Sequence, residues 1–522
     1  MRNIEKIINK FGIKSKDYEL YGNECAKVKY ETYTHNYKKP NNKKLILVTA
    51  ISPTPSGEGK TTIAIGLNDC LNALGKKSIL CLRQPSIGPT LGIKGGATGN
   101  GKSQILPEKL INYGLTGDFF VIETINNLIA SIIDNHIYHG NELNIDPKTI
   151  CWHRVMDLSD RSLRDINVKI NSKINYNTAF DITAASEIMA ILCLSKSMDD
   201  FVNRINNIVV AYDIKKKPIY VKSFKLDNAI KELAKKLLYP NCVATYNNNL
   251  CLIHGGPFAN IAHGCSSTIS INTAFKYANY VVTEAGFGSD LGAEKFINIF
   301  SREYAQPDAI ILCVTFKSIL YHCNELELGW KERFDIGTKN LMQHINSLRN
   351  FGIDPIIAIN LFPNDKKEEI DYLINFLKSK KLLYSITSPS MVGQKSFKNI
   401  VKILNKCLCK PIKIKYTYNL NDSTKTKIDK IVSKVYGFKT KVEYEKLAQD
   451  KLKLYDNLNG YYVCMAKTPI SYSSDLHKLT YSDKDKIIIK DIIIANGVKF
   501  VIPVSQGIYR IPGLPKVPNA QK

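Results

Sequence analysis

The chain lacks the marks of a membrane or secreted protein. Among its 522 residues no run approaches about 18 uncharged apolar residues, so no transmembrane helix and no membrane partner are expected. Met1–Lys10 has too few apolar residues for a signal peptide and instead predicts a short amphipathic helix. The 13 cysteines include no Cys-x-x-Cys pair, which argues against a disulfide framework and against a zinc site. We therefore expect a cytoplasmic protein, with organellar import as the open alternative.

Acidic residues are also scarce, since 47 Asp and Glu stand against 72 Lys and Arg, for a net charge of +25. Such an excess is typical of nucleic-acid-binding proteins. Here the lysines are spread thinly along the chain, aromatic residues are not interleaved with them, and the sequence has no DNA- or RNA-binding motif. The charge therefore predicts no nucleic-acid partner, but it favours the attraction of small polyanions to a cleft.

Buried-strand and helix patterns alternate through the first two-thirds of the chain. A strand–helix–strand unit of this length predicts a parallel pair with a right-handed crossover. The pattern favours an α/β fold built on a mostly parallel sheet with helices on both faces. The strand candidates are Leu45–Ile51, Ser78–Leu82, Asn207–Ala211, Leu250–Ile253, Tyr280–Thr283, Ala309–Val314 and Pro355–Ile359.

One stretch predicts a phosphate-binding loop. The apolar strand Leu45–Ile51 is followed by a Gly-rich turn that ends in Lys-Thr, and then by the helical pattern Ile63–Leu74. Glycines let backbone N–H groups turn toward one anion, and the helix N-terminus adds its positive dipole end. Lys60 is expected to reach the terminal phosphates of ATP, and the Thr61 hydroxyl to ligate Mg²⁺. The residues expected to bind the nucleotide are Thr54, Pro55, Ser56, Gly57, Glu58, Gly59, Lys60, Thr61 and Thr62.

The signal is not the full P-loop pattern, because Thr54 stands where that pattern has its first glycine. A plain Gly-rich surface turn is the alternative. The strand before the loop and the helix after it favour the phosphate interpretation.

A length of 522 residues predicts about three domains. The strand pattern loosens near Lys380, and the end of the chain has short strands and a Pro- and Gly-rich tail. We expect a P-loop nucleotide-binding main domain over 1–365, a second α/β domain over 366–455 and a short C-terminal domain over 456–522.

Ligands of open α/β sheets bind beyond the carboxyl ends of the strands. That rule brings the phosphate loop together with Arg83 after the second strand, Lys317 after Ala309–Val314, and Asn360 and Asp365 after Pro355–Ile359. We expect these residues to form an anion pocket. For each basic residue alone, a solvated surface charge is the competing interpretation.

Several long segments resemble one enzyme family, the formate–tetrahydrofolate ligases. The segments keep their order from near the N-terminus to the end of the chain, and the two central ones are long. They are Lys44–Ile51 with Pro55–Thr62, Pro85–Pro89, Gly92–Ala97, Asp134–His136 with Gly140–Leu143, Gly256–Cys265, Val281–Phe296, Cys464–Thr468 and Pro512–Pro518.

The resemblance implies an activity and its site. The family joins formate to tetrahydrofolate with ATP and Mg²⁺, and formyl phosphate is the intermediate that the folate nitrogen attacks. It implies that Lys60 holds the transferred phosphate, that Thr61 holds Mg²⁺, and that Arg83 clamps formyl phosphate with its planar fork. The family often uses a monovalent cation and forms homotetramers.

The resemblance also implies contacts outside the phosphate loop. Asn360 and Asp365 fall where the family contacts nucleotide and folate, and Phe362 becomes a stacking face for the pterin ring, with an ordinary core Phe as the alternative. His136 and His263 are the two candidates to take the folate proton, and a structural role is the alternative for each. Two acidic residues of one loop are further candidate polar or cation contacts, Glu284 and Asp290.

The departures from the family pattern concentrate at the expected folate end. Gln84 replaces a glutamate, and the segment after Ser385 lacks the tryptophan that the family stacks opposite the phenylalanine. The other changed positions are Lys109, Leu110, Gly114, Phe120, Lys317 and Leu361, and the missing tryptophan falls near Met391.

Three functions remain open at this point. The first is a working ligase with an altered folate pocket. The second is a relative that binds ATP, has lost ligase activity and serves a regulatory or scaffolding role. The third is an ATP-dependent ligase for another small carboxylate.

Overall fold

Continuous apolar runs become the buried strands of one large sheet, because a parallel sheet that is covered on both faces needs apolar side chains on both. The computed structural model describes residues 3–30, 39–55, 57–93 and 97–522. The strands are β1 Tyr18–Tyr21, β2 Cys25–Val28, β3 Lys44–Ala50, β4 Ser78–Leu82, β5 Gly99–Asn100, β6 Ser103–Leu106, β7 Arg154–Met156, β8 Ile166–Lys169, β9 Asn175–Thr178, β10 Phe180–Ile182, β11 Val209–Tyr212, β12 Pro218–Tyr220, β13 Asn241–Thr245, β14 Leu250–Ile253, β15 Tyr280–Glu284, β16 Ala309–Val314, β17 Ile356–Asn360, β18 Tyr384–Thr387, β19 Glu443–Tyr444, β20 Tyr462–Val463, β21 Ile488–Ala495 and β22 Phe500–Ser505.

The helices lie between these strands for most of the chain. They are α1 Ile4–Lys10, α2 Lys60–Ala73, α3 Ile87–Leu91, α4 Glu108–Asn112, α5 Asp118–Tyr138, α6 Glu187–Leu194, α7 Met198–Asn206, α8 Asp227–Ala234, α9 Thr268–Tyr277, α10 Ser301–Glu303, α11 Phe316–Tyr321, α12 Trp330–Asn350, α13 Lys367–Ser379, α14 Lys398–Leu408, α15 Thr424–Lys434 and α16 Lys446–Tyr455. Of these helices, none in the described ranges is both long and apolar enough to cross a membrane.

The central sheet has the strand order β1-β2-β13-β14-β4-β15-β3-β16-β17-β18. The strands from β14 to β18 are all parallel, whereas β1, β2, β13 and β14 pair antiparallel at one edge. The strand β3, which leads into the phosphate loop, lies between β15 and β16. The carboxyl ends of β4, β15, β3, β16 and β17 therefore meet at one edge of the sheet.

Helices cover both faces of this sheet, as expected. The side chains of β3 alternate between two apolar clusters, with Ile46 and Val48 facing the cluster that contains α2 and α14. Leu45 and Leu47 face the larger cluster on the other side. The α/β class with a mostly parallel sheet is confirmed.

Two elements beyond residue 365 pack with the central sheet. The strand β18 pairs with β17, and α14 packs on α2, so both elements belong with the central sheet although they lie beyond residue 365. Further on, α16 packs on β21 of a four-stranded sheet with the order β19-β21-β22-β20.

Three of the seven expected strands, Ser78–Leu82, Leu250–Ile253 and Ala309–Val314, match β4, β14 and β16 without a shift, and the other four differ by one or two residues at one or both ends. One strand expected in the main sheet is elsewhere, because β11 pairs with β12 in a separate two-stranded hairpin. The sequence of β11 has the pattern of a buried strand because its side chains pack into the larger apolar cluster, although β11 is not part of the main sheet.

Candidate active site

The phosphate loop begins where β3 ends and closes at the first turn of α2. Gly57 and Gly59 have φ values of 74° and 76°, the left-handed region that favours glycine, and Ser56 lies outside the described residues. A Cβ at position 59 would also overlap the side-chain amide of Asn360, which belongs to β17. Asn360 donates to the carbonyl of Glu58 at 3.0 Å, so a neighbouring strand holds the loop.

Glu58 acts as an internal brace of the loop. Its side chain is buried and accepts hydrogen bonds from the backbone N–H of Thr54 at 3.0 Å and from the Thr315 hydroxyl at 3.0 Å. A carboxylate used in this way keeps the turn closed. Among the loop residues expected to bind the nucleotide, Glu58 therefore has its side chain directed into the protein.

Glu284, the last residue of β15, joins the loop to the next strand of the sheet. Its carboxylate accepts a hydrogen bond from the Thr61 hydroxyl at 2.7 Å and lies 3.9 Å from the Arg83 guanidinium. Burial lowers the pKa of Lys60, and the charge of Glu284 is the largest opposing influence on it. The Glu284 carboxylate thus interacts with Lys60, Thr61 and Arg83, the three residues that the sequence analysis proposed for the site.

Arg83 is held by one arm and leaves the rest of its fork available. Its NH1 group donates to the Pro257 carbonyl at 2.9 Å. Its Nε has no hydrogen-bond partner among the described residues, although the atom is buried. The guanidinium crosses Gly286, where a Cβ would lie 2.8 Å from NH1, so glycine makes room for it. Free donors that lie in one plane are suited to an oxyanion that accepts two parallel hydrogen bonds.

A histidine that the sequence analysis missed braces the loop from behind. His344 of α12 accepts from the Ser52 N–H at 2.7 Å through Nε2, and its Nδ1 contacts the Ser289 hydroxyl at 2.7 Å. Burial lowers its pKa, so the ring is neutral. No local motif marks His344, because its partners come from segments more than fifty residues away in the chain.

The candidate residues that follow β16 and β17 differ in how deeply they are buried. Asn360 is buried against the loop, as described above. Phe362 is exposed, and its backbone N–H donates to the Asp365 carboxylate at 2.8 Å, so Asp365 closes a local turn. Lys317 is exposed in the first turn of α11.

The two candidate histidines lie in different places. His263 is fully buried on the Gly256–Cys265 segment, which also supplies the carbonyl that holds Arg83. Within the described chain neither of its ring nitrogens has a hydrogen-bond partner, and burial lowers its pKa to about 3. His136 accepts from the Leu143 N–H at 3.0 Å near the far end of α5, roughly 27 Å along the helix from Asp118. The contacts of the His136 ring in the described chain are with Leu143 and Phe224, and none of them is with the phosphate loop.

Asp290, a candidate polar or cation contact, is engaged elsewhere. It is fully buried and forms an ion pair with Lys467 at 2.8 Å. The lysine also donates to the Thr468 carbonyl at 2.9 Å. This pair ties the Val281–Phe296 segment to the Cys464–Thr468 segment, which are two of the segments that resemble the ligase family.

Comparison with known proteins shows the family of the chain. A family model described as Formate--tetrahydrofolate ligase matches residues 1–522. The chain belongs to the formate–tetrahydrofolate ligase family. Curated relatives with that name include one from Malacoplasma penetrans, 46% identical over 518 residues, covering 97% of this chain and 96% of the relative. Others come from Campylobacter concisus, 42% identical with 100% and 95% covered, and Thermoplasma volcanium, 41% identical with 100% and 97% covered.

Within this ligase family, Gln84 is the departure closest to Arg83. Its side chain is buried, and Nε2 donates to the Gly114 carbonyl at 3.2 Å. The amide therefore bridges the end of β4 to the altered loop at 107–118. Of the other changed residues in this loop and at the start of α5, Leu110 and Phe120 are exposed, Phe120 by 70%.

The segment in which the ligase family has its tryptophan is a loop after β18. Two contacts to carbonyl groups hold this loop to the β5–β6 hairpin: the Ser103 hydroxyl donates to the Pro389 carbonyl at 2.9 Å, and the Lys102 N–H donates to the Ser390 carbonyl at 3.0 Å. Met391 is 38% exposed at its tip. Since β17 and β18 are neighbours, this loop and Phe362 follow adjacent strands at the same edge of the sheet.

Proposed function

We propose that this chain is an ATP-dependent ligase that joins formate to tetrahydrofolate, giving 10-formyltetrahydrofolate, ADP and phosphate by way of formyl phosphate. The observation that carries the proposal is the convergence of Lys60, Thr61 and Arg83 around the single carboxylate of Glu284. Phosphoryl transfer is mostly positioning and charge stabilisation, and these residues provide both.

In the first half-reaction a formate oxygen attacks the terminal phosphorus of ATP. Lys60 places a point charge on the transferred phosphoryl group from the first turn of α2, where the helix dipole adds to it. Arg83 holds formate and then the formyl phosphate through Nε and NH2, because NH1 is already bound to Pro257. Glu284 keeps the two cations at a fixed separation.

Thr61 and Glu284 are the residues that would hold Mg²⁺. A hydroxyl and a carboxylate 2.7 Å apart supply the hard oxygen ligands that this ion prefers. When bound, the ion neutralises charge on the phosphate oxygens. We include the monovalent cation of the family as a further expectation, to be tested by activity with and without potassium.

In the second half-reaction the folate nitrogen attacks the formyl carbon and phosphate leaves. Phe362 is the exposed ring at the end of β17 that is available to stack on the pterin. We keep His263 as the candidate proton acceptor, because its segment holds Arg83 and its ring nitrogens are free of partners in the described structure. Its low pKa keeps the ring neutral, so one ring nitrogen carries no proton.

The deciding experiment is product formation by the purified protein with Mg-ATP, formate and tetrahydrofolate. Product that depends on all three substrates is the expected result. ATP hydrolysis or carboxylate activation without any folate requirement would contradict the proposal.

The same preparation addresses assembly and location. We propose a homotetramer, to be measured by light scattering after size exclusion. We also propose a cytoplasmic location, because all 13 cysteines are free thiols. Fractionation of cells checks this second point.

A further inference from the structure

A cavity lies away from the phosphate loop, between the β7–β10 pair with α6 and the C-terminal sheet. Its volume is about 570 Å³. One wall comes from β10 and α6, and the opposite wall from β21 and β22. Junctions of this kind are common places for small-molecule sites, and the volume falls in the range of drug-sized ligands.

The body of the cavity is apolar. Its lining includes the buried side chains of Trp152, Ala190, Ala495, Val498 and Phe500. Two of these are alanines on opposite walls, Ala190 on α6 and Ala495 on β21, so small side chains leave the space open. An apolar molecule of matching size would gain by leaving water there.

One end of the cavity carries a guanidinium with an unused hydrogen-bond donor. Asp181 is buried, and two basic side chains share its carboxylate: His153 Nδ1 at 3.0 Å and Arg510 NH2 at 2.7 Å. The Nε of Arg510 is buried and has no hydrogen-bond partner in the described parts of the chain. A guanidinium with an unused donor next to an already shared carboxylate is suited to a second anion.

Of the remaining charged groups in the lining, Lys148 is the cation without an acidic partner in the lining. Lys451 and Asp491 form a neutral pair at 2.6 Å. Glu187 accepts the Gly497 N–H at 2.6 Å, and burial raises its pKa to about 7, which reduces its negative charge near neutrality. Lys148 adds a further exposed cation.

We propose that this cavity is a second small-molecule site, which binds a monoanion with an apolar body, such as an aromatic carboxylate, with the carboxylate on Arg510 and the ring against Trp152.

The cavity also touches the segment that holds Arg83. Ile261 and Ala262 line it, and Phe500 contacts the ring of His263 edge-on at a centroid distance of 6.1 Å. A molecule bound in the cavity would therefore contact the segment that holds Arg83. Any effect on formate use rests on the proposed function, whereas binding at this site does not.

The test uses para-bromophenylacetate, whose bromine quenches tryptophan fluorescence on contact. The chain has two tryptophans, and Trp330 packs against Phe316 and Tyr372 instead of lining this cavity. We expect saturable quenching by one probe per chain in wild type and in Trp330→Phe, and its loss in Trp152→Phe. Equal quenching in the two variants would place the probe elsewhere and overturn the proposal, as would unsaturable quenching.

Two further experiments test the apolar body and the charged end of the cavity separately. Ala190→Phe and Ala495→Leu fill the cavity from opposite walls and should each weaken binding by about tenfold, while the exposed Ala229→Phe should not. The neutral para-bromophenylacetamide should bind wild type about tenfold more weakly than the acid, and Arg510→Gln should remove that difference. Equal binding of acid and amide to wild type would contradict the anion end. No ATP, formate or folate is present, so the outcome is independent of catalysis.

Discussion

The two ends of the candidate active site are built differently. The nucleotide end is braced by side chains of the loop, two strands and one helix, namely Glu58, Glu284, Asn360 and His344. The folate end rests on backbone carbonyl contacts, such as those of the loop after β18. Its apolar side chains, including Phe362 and Met391, are exposed at the surface.

The difference follows from what each end has to do. Charge stabilisation requires donors and carboxylates within a few tenths of an ångström of fixed positions, so each side chain is specified by several partners. Stacking on the pterin ring requires contact area, and different apolar side chains can supply that area. The departures from the family pattern therefore collect at the folate end, while the phosphate loop, Arg83 and Glu284 keep a closed network.

The largest expected effect is at the nucleotide end. Lys60→Ala should lower ligase turnover by about 1,000-fold or more, because the transferred phosphoryl group loses its point charge. Initial rates of 10-formyltetrahydrofolate formation measure this. The control is Lys367→Ala, an exposed lysine at the start of α13 that should be neutral. Full turnover by Lys60→Ala would show that the loop does not bind the nucleotide.

The second prediction concerns the buried charges behind the nucleotide end. Burial raises the pKa of Glu294 to about 7, above its usual 4.5. A carboxyl whose folded pKa is raised stabilises the fold while it is protonated, so its contribution is full below about pH 4.5 and is lost as the pH rises through about 7. Glu294→Gln removes that loss, and its stability relative to wild type should rise by up to about 3 kcal/mol between these pH values.

Urea unfolding at a series of pH values measures the difference. The exposed Glu24→Gln is the matched control and should give a flat difference. A relative stability of Glu294→Gln that falls with rising pH would mean that Glu294 is ionised and favourably paired in the fold.

The third prediction separates formate from ATP. Arg83→Lys should raise the KM for formate by roughly 30-fold and leave ATP affinity within about threefold of wild type, since a point charge cannot replace two parallel donors. Steady-state kinetics with formate varied, together with equilibrium nucleotide binding, give both values. An equal loss of formate use and of ATP affinity would assign Arg83 to the nucleotide site.

The smallest expected effect is at the folate end. Met391→Trp should lower the KM for tetrahydrofolate by about threefold to tenfold, because a second aromatic face is worth about 0.5–1.5 kcal/mol. Leu383→Trp is the matched control, an equally exposed change at the other end of β18. A higher KM for Met391→Trp would mean that the loop after β18 does not face the folate.

The sequence predicted much of the site because its parts are local. The loop from Thr54 to Thr62 carries its own glycines, and each buried strand is marked by its own apolar run, so β4, β14 and β16 had the predicted bounds. Strand order then placed Arg83 near the loop, as the rule for parallel sheets requires. The family resemblance was confirmed by a match over residues 1–522.

Other features could not be read locally. The pairing of β18 with β17 carries the main sheet past residue 365, because pairing depends on a partner about thirty residues away rather than on composition. The bond from the His344 ring to Ser52, 292 residues apart, has no signature in either segment. His136 stands in a segment that resembles the family, yet the length of α5 carries it to the far end of the helix from Asp118.

The sequence by itself determined the class of the sheet and the family, and it predicted the candidate phosphate loop, since each depends on short-range pattern and residue identity. Only the tertiary structure decided that Glu284 meets both Thr61 and Arg83, that Asp290 is occupied by Lys467, and that a cavity opens beside Trp152. These are contacts between segments far apart in the chain, and their geometry is set by how helices and strands pack on one another.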